Sequence, residues 1–316
     1  MQALMAEATQ GWSLARAPRL DGKIAVVTGP TSGIGYWTAL GLARLGADTV
    51  LAGRDEARCA QAMARIRQAV PDATLRVLRL DLASLDSVAA FAQAAVQAGQ
   101  GRIDILVNNA GIMGLPKRQV TTDGFERQMG VNYLGAFALT ARLKDAVCAA
   151  PGGGRVVNVA SVAHRRVTLD LDDFQAERTY QPRVVYGRTK LAMLMFSLEL
   201  HRRSVAGGWG LRSIAAHPGW ARTEIVRNGM GRGVKGRLAD FIFNRVAQPG
   251  REGALPSLFA ATAPEAVGGG YYGPSGWNET RGAPGPSRIY PQARDAAVAK
   301  ALWTLSKRLT GVSFGA

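Results

Sequence analysis

Short aliphatic and β-branched runs recur along this chain, each followed by a longer stretch in which apolar residues return every three or four positions. A bounded apolar run of four to six residues fits a strand covered on both faces, and the longer spacing fits a helix with one buried stripe. The pattern predicts strands at 23–28, 49–52, 75–80, 103–108, 155–160 and 211–216, with a seventh through Tyr271 and Tyr272. Helices are predicted at 34–45, 56–69, 85–98, 131–149, 184–205 and 294–309. Strict alternation of strand and helix is the mark of a parallel sheet wrapped by helices, so the expected fold class is α/β, a single doubly wound domain with a seven-stranded parallel sheet and helices on both faces.

No linker-like break interrupts this alternation. The expected organisation is an N-terminal extension over 1–20, one domain over 21–290 and a C-terminal helical extension over 291–316. Three stretches do not fit the alternation: 164–183, 220–248 and a Gly/Pro-rich loop at 276–287. Ligands of doubly wound sheets bind beyond the carboxyl ends of the strands. The first two stretches follow such ends and are expected to shape a substrate pocket, with 220–248 as a lid.

Composition narrows the class. Hydrophobic residues make up 47% and charged residues 20%, the balance of a folded, water-soluble domain. The net charge of +16 would suit an anionic partner, but the basic residues are scattered, with no run of five and no zinc-finger or RNA-recognition spacing. The expectation is therefore no nucleic-acid partner, with the excess charge serving an anionic cofactor and a generally Arg-rich surface. The first twenty residues carry Glu7, Gln10, Arg16 and Arg19 and do not read as a secretory signal, and no segment approaches the roughly 18 apolar residues of a membrane span. Cys59 and Cys148 lie in helical patterns without metal-ligand spacing and read as free thiols, so a cytoplasmic address and no metal are expected.

Two local patterns carry chemistry. The first is Thr28-Gly29-Pro30-Thr31-Ser32-Gly33-Ile34-Gly35, lying between a predicted strand and a predicted helix. Gly29, Gly33 and Gly35 allow a tight turn and close backbone approach, while the helix opening at Ile34 points free N–H groups toward a diphosphate. Pro30 has no N–H, which shifts polar contact to Thr31 and Ser32; the plain alternative is an ordinary strand-to-helix turn. At the end of the second strand Gly53-Arg54 offers space and a planar fork suited to a 2′-phosphate, predicting NADP(H) over NAD(H), unless Arg54 pairs with Asp55 instead.

The second pattern is Ser161, Tyr186 and Lys190. Tyr186 and Lys190 are four apart, on one face of the predicted helix. A nearby ammonium would lower the phenol's pKa and fit Tyr186 for proton transfer, and Ser161, at a strand end, could bind a substrate oxygen as charge develops. Each has a plainer reading, Ser161 as a cap and Lys190 as a solvated charge. His164 is read as structural or solvent-facing.

Taken with Asp81-Leu82 after the third strand and Asn108-Asn109-Ala110-Gly111 after the fourth, these motifs resemble the short-chain dehydrogenase/reductase family over about residues 20–275, which implies a Rossmann fold. The resemblance implies that Asp81 and Leu82 border the adenine, that Asn108, Asn109, Ala110 and Gly111 shape the cofactor wall, and that Pro218, Gly219 and Thr223 close the nicotinamide side. It further implies that Lys190 bonds the nicotinamide ribose and that Asn132 is a fourth catalytic member holding a water; alone, Asn132 reads as a locally bonded helix residue. Tyr186 follows Ser161 by 25 positions, and this gap, with Ala163-His164 and Ala216-His217-Pro218-Gly219, is similar to the retinol-dehydrogenase-like and protochlorophyllide-reductase-like branch. That branch implies a lipophilic alcohol, aldehyde or ketone as substrate. Met113, Leu115, Trp220, Ile225, Met230, Phe241 and Phe243 suit either a greasy pocket or packing between lid helices. A catalytically silent NADP(H)-binding regulator is the alternative function. The family's usual assembly through its two long helices, here 131–149 and 184–205, makes a homo-oligomer possible, although chain beyond residue 290 could cover that surface.

Overall fold

The apolar run Ile24–Thr28 forms strand β1, in which Ala25, Val26 and Val27 are fully buried. Burial on both faces is what a central parallel strand requires. The computed structural model describes residues 12–221 and 247–315. The further strands are β2 (Asp48–Gly53), β3 (Leu75–Arg79), β4 (Ile105–Asn108), β5 (Arg155–Val159), β6 (Arg212–Ala216), β7 (Tyr271–Pro274) and β8 (Pro284–Pro286). They form one sheet in the order β3-β2-β1-β4-β5-β6-β7-β8. The seven expected strands pair in parallel, and β8 is added antiparallel to β7 at the edge. Pro284 and Pro286 hid it within the Gly/Pro-rich 276–287 loop: proline removes ladder donors and is tolerated only at a sheet edge, which is where β8 lies.

Helices α1 (Gly33–Arg44), α2 (Glu56–Ala69) and α6 (Leu255–Thr262) contribute to the core on one face of the sheet. Helices α3 (Leu85–Ala98), α4 (Gly135–Cys148), α5 (Pro182–Ala206) and α7 (Ala296–Thr310) contribute to the core on the other. Strand order reverses between β1 and β4, so the crevice of a doubly wound sheet opens there.

The predicted helix 131–149 is interrupted. A short α turn at Arg127–Met129 runs into a π turn at Gly130–Leu134 before α4 begins. Gly130 packs against Thr121 and Gly135 against the Leu82 carbonyl, contacts a Cβ would block, and π turns of this kind recur at functional sites.

The N-terminal residues within the described range pack onto the domain, Trp12 lying edge-on to Phe259 at 5.4 Å. The C-terminal helix is equally integral. Trp303 and Phe314 are buried with ring centroids 4.4 Å apart, Trp303 meets Phe137 at 5.3 Å, and Ser306 hydrogen-bonds Tyr133 at 2.8 Å. Helix α7 thus covers part of the α4–α5 face by which a second copy could have docked. Among the described residues no helix is long and apolar enough to cross a membrane, and no cluster of three or more His, Cys, Asp or Glu could hold a metal.

Candidate active site

The glycine turn closes tightly because three of its neighbours leave no room for a side chain. Gly29 adopts φ +66° and its missing Cβ would fall 2.9 Å from the Ala110 Cα, while a Cβ on Gly35 would strike the Gly29 carbonyl oxygen and the Asn109 amide. Thr28 and Asn109 join the two strand ends across the crevice. The Thr28 hydroxyl accepts from the Asn109 and Ala110 N–H groups at 3.0 Å each, and Asn109 Nδ2 donates to the Thr28 carbonyl at 2.8 Å. Helix α1 starts behind this turn with no acidic residue in its first turn, leaving its positive end open to an anion.

A cavity of about 900 Å³ opens over these strand ends. Gly29, Thr31, Ser32, Gly33, Ile34 and Gly35 line it, as do Arg54 after β2, Asp81 and Leu82 after β3, and Ala110 and Gly111 after β4. Ser161, Tyr186, Lys190, Pro218 and Gly219 line the same cavity. Sixteen of the residues expected from sequence are thereby gathered around one space. Thr223, Ile225, Met230, Phe241 and Phe243 lie outside the described residues; the ends of the expected lid are pinned by a bridge between Ala221 and Gln248.

One expectation is corrected. Asn108 does not shape the cavity wall. As the last residue of β4 it points into the sheet face, where Nδ2 donates at 2.9 Å to both Thr140 Oγ1 and Asn158 Oδ1. The period-2 alternation of a strand already places Asn108 on the side of Leu106, and the chain turns toward the crevice one residue later, at Asn109. Asn132, in the π turn, is fully buried and its side chain is committed. Oδ1 accepts from Ile112 N–H at 2.7 Å, and Nδ2 donates to the Ile112 carbonyl at 2.8 Å and to Thr189 Oγ1 at 3.1 Å. These bonds position the wall at Ile112 and, through Thr189, the helix that carries Tyr186, and they leave one acceptor site on Oδ1.

The catalytic candidates do meet. The Tyr186 phenol and Ser161 face the same cavity and interact, and the Ser161 Oγ accepts from the Ala163 N–H at 3.2 Å, so the serine is both a cap and a cavity-facing hydroxyl. Lys190 Nζ donates to the Val159 carbonyl at 2.8 Å and lies 5.9 Å from the Tyr186 ring centroid. The expected lowering of the phenol is not found. Burial pushes Tyr186 up to about 12 against an opposing effect of Ser161, and burial lowers Lys190 to about 8. Each group sits where water is scarce, which shifts each toward its neutral form. His164 is structural: fully buried, with Nδ1 2.5 Å from the Ser161 carbonyl.

Asn109 lines the cavity as expected, whereas sequence reading missed Arg58, Arg127 and Arg183, which line it too. Arg58 could have been found, because Asp55 is an N-cap residue whose carboxylate accepts from the Arg58 N–H at 3.0 Å, which fixes the first turn of α2 beside Arg54. The same cap gives Asp55 a role other than pairing with Arg54.

Residues 23–230 match the short chain dehydrogenase family profile. The chain belongs to the short-chain dehydrogenase family. Among curated proteins this family member is similar to retinol dehydrogenase 13 of Mus musculus, 39% identical over 93% of this chain and 85% of the relative. It is also similar to polyprenol dehydrogenase of Mus musculus, 40% identical over 94% of this chain and 87% of the relative. Among solved structures it resembles an uncharacterised protein from Mycobacterium paratuberculosis, with a TM-score of 0.78, 35% identity and coverage of 97% and 100% of the two chains. The NADP complex of Pseudomonas aeruginosa RhlG is similar at a TM-score of 0.62 and 27% identity, covering 80% of this chain and 94% of that one. Membership makes this short-chain dehydrogenase an oxidoreductase acting on CH–OH groups with a nicotinamide dinucleotide. The glycine turn, packed too closely against Ala110 and Asn109 to admit a Cβ at Gly29 or Gly35, lines the cavity at the open N-terminus of α1 and fits that cofactor's diphosphate.

Proposed function

We propose that this enzyme transfers a hydride between NADP(H) and the carbonyl or alcohol carbon of a lipophilic substrate, with Tyr186 as general acid and base. The observation that carries this reading is the convergence of the glycine turn, Arg54 and the Ser161–Tyr186–Lys190 set on one cavity. Gly29 to Gly35 would hold the diphosphate, and Arg54 with Arg58 would face the 2′-phosphate. When bound, the nicotinamide supplies or accepts the hydride.

The chain's own residues handle the proton. With its phenol near 12, Tyr186 is protonated at neutral pH, the form needed to donate to a carbonyl oxygen during reduction. Ser161 offers a second hydrogen bond to that oxygen as it gains charge. Lys190, near 8, remains mostly an ammonium at pH 7 and stabilises the phenolate left after donation. Reversal of these steps makes Tyr186 the base in alcohol oxidation.

A lipophilic substrate is supported by the apolar side of the cavity, formed by Ile112, Met113, Leu115, Val162 and Trp220. It is also supported by the names of the two curated relatives, which specify retinol and polyprenol. The test is NADPH consumption with a panel of aldehydes and ketones that includes all-trans-retinal and long-chain aldehydes, alongside direct measurement of NADPH binding. Turnover that rises with substrate chain length is the expected result. Tight NADPH binding without consumption on any member would instead identify a silent NADP(H)-binding regulator.

A further inference from the structure

Outside the cavity lining lies a partly buried polar cluster that proton transfer by Tyr186 does not use. Its centre is Glu279. Glu279 Oε2 accepts from Arg165 Nη2 at 2.5 Å and from His217 Nε2 at 2.9 Å, while Oε1 accepts from the Arg288 N–H at 3.1 Å. His217 is fully buried, and its Nδ1 accepts from the Gly219 N–H at 3.1 Å, which fixes the proton on Nε2. One carboxylate thus ties together the 3-10 turn after Ser161, the end of β6 before Pro218-Gly219, and the segment following β8.

Both walls of the reaction zone depend on these ties. On one side, Arg165 belongs to the turn Val162–Arg166 that Ser161 caps, and His164 in the same turn bonds the Ser161 carbonyl. On the other, Trp220 N–H donates to the Thr280 carbonyl at 2.8 Å, and Gly219 at φ +62° leaves no room for a Cβ against that same carbonyl. The loop that supplies Glu279 is itself held in an unfavourable shape. Asn278 and Glu279 are consecutive non-glycine residues at φ +49° and +54°. Left-handed backbone at two such residues in a row persists only where the surroundings enforce it, and such strain clusters at functional sites. Beside the cluster, His164 Nε2 and the Tyr271 hydroxyl are buried polar atoms that lack partners among the described residues.

We propose that Glu279 is a positioning residue for hydride transfer: through Arg165 and His217 it sets the spacing between the Ser161 turn and the Pro218-Gly219 wall. None of the three residues lines the cavity. They act through Ser161 and through the backbone at Gly219. The inference rests on the reading that Ser161 orients the reacting oxygen.

Glu279→Gln keeps the shape of the side chain and removes the charge that holds Arg165. Two measurements test it. Hydrogen–deuterium exchange requires no substrate and should show the amides of His164, Gly219 and Trp220 exchanging at least tenfold faster in the variant. Kinetics with all-trans-retinal and NADPH should show kcat reduced at least tenfold with the NADPH Kd within twofold of wild type. The primary isotope effect from C4-deuterated NADPH should be larger, because the transfer step becomes limiting. Arg165→Gln should reproduce both results, and the double variant should be no worse than either single one by more than twofold, as expected of residues acting as one unit; Arg165→Gln alone carries the test if the Glu279 variant does not fold. The proposal is overturned by unchanged exchange at the three amides, by unchanged kcat, or by an activity loss that follows weakened NADPH binding. If the wild-type enzyme turned over no aldehyde, the reading of its function would fail, while the exchange result would still decide whether Glu279 sets the two walls.

Discussion

Replacing Arg54 with Gln tests the cofactor assignment at the one position where a single charge decides it. Arg54 stands on the rim of the cavity immediately after Gly53, and its guanidinium has no ion-pair partner among the described residues, Asp55 being engaged as the cap of α2. A hydrogen bond to a charged group contributes about 1.5–3 kcal/mol. Arg54 is exposed, however, and solvent screening brings the expected loss to about 1–2 kcal/mol. A Coulomb figure agrees, at about 1 kcal/mol per charge pair 4 Å apart in water, with nearly two charges on a 2′-phosphate. Such a loss corresponds to a rise in the NADPH KM of roughly 5- to 30-fold. The NADH KM should move less than twofold, because that cofactor lacks the 2′-phosphate. Arg58 on the same rim should leave a residual preference for NADPH, and raising the salt concentration should reduce it further in both proteins. Parallel steady-state titrations of wild type and variant with both cofactors read all of this. A wild-type preference for NADH, or equal KM changes for both cofactors in the variant, would refute the reasoning.

The loop and the buried histidine give two further tests. Gly35→Ala puts a methyl group into the Gly29 carbonyl and the Asn109 amide, so NADPH Kd should rise at least tenfold while the far-UV circular dichroism stays native; unchanged affinity would show that the loop does not form the cofactor cradle. His164 is held near pKa 4 by burial, against an ordinary 6.5. Below pH 6.5 the unfolded chain takes up a proton that the folded one refuses until about pH 4, so folding stability should fall by about 3 kcal/mol across that window. Burial lowers His217 in the same direction, so urea titrations at pH 7, 5.5 and 4.5 should show a shallower but not absent decline in His164→Phe. An undiminished slope in that variant would contradict the assignment.

What the sequence made legible was local. The glycine turn and the Tyr186–Lys190 pair each fit within one or two turns of chain, so residue type and spacing carry their geometry directly. The parallel strands were equally plain, because burial on both faces leaves continuous apolar runs. Misreadings arose where a longer-range fact decides. Asn108 and Asn109 are adjacent and chemically identical, and only strand alternation sends one into the sheet and the other to the crevice. The π turn at Gly130–Leu134 is masked by an otherwise regular helical pattern. The Tyr186 phenol rises instead of falling because burial, a property of the assembled fold, outweighs a cation whose hydrogen bond goes to Val159. Arg165, His217 and Glu279 are brought together only by tertiary structure, and no spacing in the chain announces them.

The most direct test of proton transfer by Tyr186 is Tyr186→Phe, which removes one oxygen atom and leaves the ring that packs beside Lys190. Loss of a general acid should reduce kcat by on the order of 100- to 10,000-fold, with NADPH Kd, measured by cofactor fluorescence, within twofold of wild type. A Phe variant that reduces its aldehyde within a few-fold of the wild-type rate would contradict the account, as would one whose lost activity is matched by lost NADPH binding.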